Sequence, residues 1–153
     1  MGYIYEWLSS IFGTQLSDFL WGYNCDTQAY DGPQVYVGIG IVTGLIVFLS
    51  IFMFYRLIDR PSWSNKWGPW LLCGLITCSV AFLVGGFWTQ TLYWQGAIGD
   101  CLEVYPYQCW MFGLANAIDT AIFYLLLSFI LKRLISINNT HTPWRSRFWV
   151  VGK

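Results

Sequence analysis

Histidine is almost missing from this chain: His141 is the only one. Its scarcity excludes bis-histidine haem ligation within one chain and any histidine-based metal cluster. No Ser–His or Cys–His nucleophilic pair is credible either, because His141 lies in the C-terminal tail. The five cysteines contain no Cys-x-x-C, which argues against a quinone-linked thiol oxidoreductase. No glycine-rich phosphate loop precedes a helix. Charge is also scarce: 10% of residues carry it, against roughly a quarter in soluble domains. Residues 1–55 and 67–131 contain no Lys or Arg at all, which leaves no basic surface for a nucleic acid. These absences lead us to expect no enzymatic activity, no cofactor and no metal.

What is present is apolar and aromatic. Of 153 residues, 56% are hydrophobic, with ten Trp, ten Tyr and eleven Phe. Rings in that number suit anchors at the two faces of a bilayer. Three runs have the length of a membrane span. Residues 35–55 carry no charge. Residues 69–88 open on Pro69, which fits a first helical turn; Gly85 and Gly86 near the end of that run are expected to fray or kink it. Residues 110–131 carry one charge, Asp119. At ~1.5 Å per residue each run crosses a hydrocarbon core of about 30 Å. Residues 1–22 alternate apolar and polar positions at helical spacing and carry no basic n-region. They predict an amphipathic helix, on a membrane or against other helices, and not a signal peptide. The expected fold is an all-α integral membrane protein, one domain over 1–153. It has an N-terminal amphipathic helix (1–22), three transmembrane helices, a long loop over 89–109 and a basic tail over 132–153.

The few charges are distributed unevenly. Arg56, Arg60 and Lys66 fall in the first loop, and Lys132, Arg133, Arg145, Arg147 and Lys153 in the tail. With three spans, all eight lie on one side. The positive-inside rule then predicts a cytoplasmic C-terminus and an extracytoplasmic N-terminus. The tail would meet anionic lipid headgroups.

That topology puts Cys25, Cys101 and Cys109 outside, where a disulfide can form. Cys101–Cys109 would close a small loop; Cys25 could instead tie the N-terminal segment to it. Cys73 and Cys78 read as buried packing residues.

Small residues recur four apart at Gly40 and Gly44, and at Gly113, Ala117 and Ala121. Such ridges let helix backbones approach closely in lipid. Asn116 and Thr120 run beside the second ridge, next to Asp119. A carboxylate at mid-span is costly unless paired, hydrated or protonated, and three roles compete for it. It holds helix register through hydrogen bonds. Or copies of the helix form an acidic ring in a cation or proton path. Or it pairs with a basic residue of another protein. The ridges predict a non-enzymatic membrane subunit in a homo-oligomer or a larger complex. An oligomeric cation or proton channel using Asp119, Asn116 and Thr120 is the alternative.

Overall fold

The computed structural model describes residues 7–58 and 67–135. Helices dominate them, and among the described residues there is no strand, only an isolated bridge between Asn24 and Ala29. Two short helices, α1 (Ser9–Phe12) and α2 (Thr14–Trp21), precede three long ones: α3 (Val35–Met53), α4 (Trp67–Trp94) and α5 (Pro106–Ile135). A π-helical turn over Phe54–Ile58 extends α3. Spans of 22, 27 and 27 residues, Val35–Arg56, Gly68–Trp94 and Pro106–Lys132, are long and apolar enough to cross a membrane. A helix satisfies every backbone group within itself, which is why uncharged runs of this length take that form in lipid. The protein is an all-α integral membrane protein with three spanning helices.

The N-terminal segment departs from the single helix expected over 1–22. It breaks at Gly13, whose φ of +98° other residues rarely adopt. A second positive-φ glycine, Gly22 (+94°), closes α2, its N–H bonded to Asp18 and Phe19 carbonyls. The segment packs against the chain's own bundle. A Cβ on Gly13 would sit 2.6 Å from Gln108 Nε2. Phe12 meets Phe112 edge to face at 5.2 Å. Trp7 reaches Asp119. Between Gly13 and Trp7 the arm therefore descends along α5 from residue 108 to residue 119, a drop of ~16 Å at helical rise, which brings Trp7 to the centre of the Pro106–Lys132 span.

The second and third spans are longer than expected, and the intervening loop is shorter. α4 continues past residue 88 to Trp94, because its polar groups there are satisfied in place: buried Thr89 donates to the Gly85 carbonyl at 2.8 Å. α5 begins at Pro106, not at Trp110. Pro at the first helical position and Gln108 at the third supply the start. Gln108 Oε1 accepts the Tyr105 N–H at 2.8 Å, half of a capping box. Only residues 95–105 are left as loop, not 89–109.

α4 and α5 form the closest pair. A Cβ on Gly113 would lie 2.7 Å from the Phe82 carbonyl oxygen and 3.0 Å from Gly86 N. Gly85 and Gly86 thus sit in mid-helix as the crossing point, not as a frayed end. Two apolar cores lie along the bundle axis. One, at the arm end, gathers Phe12, Leu16, Leu20, Tyr36, Ile39 and Phe112. The other gathers Val47, Ile51, Phe54, Tyr55, Trp70 and Tyr124. Between them, on α3 and α5, lies a polar layer.

Candidate functional site

The polar layer follows from helical register. Thr43 lies one turn from Ile39 and from Val47, so it shares their inward face. Asn116, Asp119 and Thr120 lie between Phe112 and Tyr124 on the inward face of α5. Asn116 is fully buried. Its amide nitrogen donates to the Ala81 carbonyl at 2.8 Å, and its amide oxygen accepts from Thr43 Oγ1 at 3.3 Å. One side chain on α5 thus binds both α3 and α4. Thr120 Oγ1 turns back on its own helix and donates to the Asn116 carbonyl at 2.6 Å.

Asp119 is 4% exposed. Its Oδ1 accepts a hydrogen bond from Trp7 Nε1 at 3.1 Å. Its Oδ2 is buried with no hydrogen-bond partner. The hydrogen bond to this carboxylate comes from the arm and not from another spanning helix, and Trp7 is itself 59% exposed.

The two glycine and alanine ridges fare differently. Gly113 makes the closest approach of α5 to α4. Ala117, half-buried, borders a shallow apolar groove of about 410 Å3 with Cys78, Phe82 and Leu114; Ala121 is half-buried beside it in register. On α3, Gly40 is half-buried, while Gly44 is exposed and a Cβ there would meet nothing within 4 Å. Among the described residues nothing packs closely on the α3 ridge at Gly44; Gly38 instead faces the Trp88 ring, at 3.6 Å from a Cβ.

Of the cysteines, Cys25 and Cys101 form a disulfide across a sequence separation of 76. The shorter Cys101–Cys109 pairing does not form, because Cys109 lies inside α5, buried, one turn into the helix. Cys73 and Cys78 are free and half-buried. Among the described residues no three His, Cys, Asp or Glu side chains gather as a metal site.

Two polar features were not singled out in the sequence. Trp7 reads there as one more apolar position of an amphipathic helix; only the descent of the arm makes it a carboxylate donor. The second is a cluster at the far end of the bundle. Ser128 Oγ is 2.6 Å from the Tyr55 hydroxyl and accepts from Trp70 Nε1 at 2.8 Å. Tyr124 adds a hydrogen bond to the Trp70 carbonyl at 3.1 Å. Ser128 stands alone in an apolar run, which is the one mark the sequence carries of this cluster. The basic residues of the tail beyond 135, and those at 60 and 66, lie outside the described residues.

Fold and site together define a three-span helical membrane protein with a hydrogen-bonded polar layer at mid-bundle. Beyond that class, comparison with known proteins finds no match: no family, no curated protein and no solved structure is similar to this chain.

Proposed function

We propose that this protein is a non-enzymatic membrane subunit that assembles through its helices into a homo-oligomer or a larger membrane complex. The observation that carries this reading is the open ridge on α3. Gly44 is bare of any neighbour within 4 Å of a Cβ, and exposed Ile41, Leu45 and Phe48 flank it. Small residues with large apolar neighbours are the pattern of close helix contact in lipid. The polar groups of α5, by contrast, serve the chain's own bundle, as a register-holding layer requires. The arm and the disulfide-linked loop form the extracytoplasmic face, and the basic tail the cytoplasmic one, following the charge asymmetry. Native mass spectrometry from lipid nanodiscs tests the assembly: Gly44→Leu is expected to shift the population toward a smaller species while leaving thermal stability unchanged. An unaltered monomer in both proteins, with no co-purifying chain, sinks the reading.

A second reading rests on the buried, unbonded Oδ2 of Asp119. A mid-span carboxyl group of this kind suits a cation or proton path, which Trp7 would close by occupying Oδ1. Flux into liposomes should then rise in Trp7→Ala and vanish in Asp119→Asn. No flux in any of the three proteins removes the channel.

A further inference from the structure

A cavity of about 410 Å3 opens between the arm and the connector that leads to α3. Asp18, Trp21 and Tyr30 line it, with Thr14, Ser17 and Gln34. Asp18 is the sole charged group in the lining. Its Oδ1 accepts the Tyr30 hydroxyl at 2.9 Å. Its second oxygen accepts no hydrogen bond from any described side chain, and no described cation pairs with it. That hydrogen bond pushes the Tyr30 hydroxyl up from its ordinary pKa. Tyr30 is braced from behind by Tyr23, edge to face at 5.2 Å. Trp21 is held against Tyr36 at 5.6 Å. Ser17 is buried, and its Oγ accepts the Tyr36 hydroxyl at 2.9 Å, which fixes both residues. Gln34 immediately precedes the first span, so the cavity lies where a hydrocarbon core gives way to headgroups.

We propose that this cavity binds an organic ammonium group, seated against Asp18 between the Trp21 and Tyr30 rings. The carboxylate supplies the opposite charge. Aromatic rings attract a cation through their quadrupoles, most strongly Trp, and Trp21 and Tyr30 both line the cavity. Hydroxyl oxygens and the Gln34 carbonyl accept from N–H groups where the amine has them. A bare metal ion fits poorly: it wants several oxygens converging at ~2.0–2.6 Å, and here a single carboxylate stands in a wide cavity with aromatic walls. An anion would meet Asp18 with nothing basic in the lining to offset it. The ammonium group has two possible sources, the headgroup of an aminophospholipid and a free soluble amine. The site lies within one chain, so it does not depend on how the protein assembles.

The test uses the full chain in a maltoside detergent, with ethanolamine and choline as soluble probes followed by saturation-transfer NMR. In parallel, native mass spectrometry follows retention of phosphatidylethanolamine against phosphatidylglycerol. Asp18→Asn should weaken the amine at least about tenfold, the loss expected when a charged hydrogen-bond partner becomes neutral. Asp26→Asn, on the neighbouring connector, should change nothing. Tyr30→Phe keeps the ring and should bind within about twofold of wild type, whereas Tyr30→Leu should lose about fivefold through the missing ring face. Binding of soluble amines that depends on Asp18 identifies a free amine as sufficient. Retention of phosphatidylethanolamine alone, lost in Asp18→Asn, identifies the lipid. Amine and lipid binding equal in wild type and Asp18→Asn overturns the site. Should Asp18→Asn fail to fold, equal binding by Tyr30→Phe and Tyr30→Leu overturns it instead.

Discussion

Asp119 holds one hydrogen bond and one vacant oxygen, so its two neighbours in chemistry predict opposite outcomes. Asp119→Asn keeps an oxygen for Trp7 Nε1 and removes a charge whose burial is expensive. The variant should be at least as stable as the wild type in a thermal-shift assay in detergent. Trp7→Phe keeps the ring and removes the donor, leaving a buried carboxylate with no partner; we expect a loss of about 1–3 kcal/mol. In the double variant Trp7→Phe with Asp119→Asn the loss should shrink, because the group stranded by the first change is no longer a charge. Additive losses would mean that the 3.1 Å contact carries no coupling. Asn116 differs in kind, since it joins three helices. Asn116→Ala should cost about 1–2 kcal/mol, near the top of the range for hydrogen bonds between membrane helices.

At the scale of the elements, glycine decides which helices touch. α4 and α5 cross where Gly85, Gly86 and Gly113 leave no side chain between the backbones, and a Cβ on Gly113 would strike the Phe82 carbonyl at 2.7 Å. Backbone cannot swing aside as a flexible side chain can. Gly113→Val should therefore separate the two helices and severely reduce the yield of folded protein, at a cost of about 3 kcal/mol, the upper end of the usual overpacking range. Gly44→Ala should leave the fold of the single chain intact, since nothing described lies within 4 Å of the added methyl. Equal behaviour of the two variants by size-exclusion profile and thermal shift would refute this assignment of the crossing. Both glycines looked alike in the sequence, each a member of a small-residue ridge. What separated them was which face of the helix the bundle buried. The ends of α4 and α5 were equally hard to locate from hydropathy. Thr89 and Gln108 are polar residues, but their groups are spent on a carbonyl one turn away and on a cap, so they extend helices where polarity suggested loop.

For the whole molecule, the disulfide ties the arm and connector to the α4–α5 hairpin across nearly half of the chain. Closing a loop of 76 residues removes about 4.5 kcal/mol of unfolded-state entropy in the chain-entropy treatment. Cys25→Ser should lower the melting temperature in detergent, and reduction of the wild type should reproduce the shift; Cys109→Ser keeps the Cys25–Cys101 bond and should respond to reductant as the wild type does. An identical melting curve with and without reductant would show that the arm is held by packing alone. Composition and periodicity were enough to determine the three spans and the all-helical class, because lipid enforces apolar runs and satisfied backbones whatever the tertiary arrangement. The choice of Cys101's partner, the descent of the arm to Asp119 and the use of Gly113 but not Gly44 were decided only by the tertiary structure. Each is a contact between residues far apart in the chain, set by which helix faces meet, and a one-dimensional pattern of hydropathy does not carry that information. A mid-span acid with no basic partner in the sequence thus turned out to be capped by an indole from the other end of the chain.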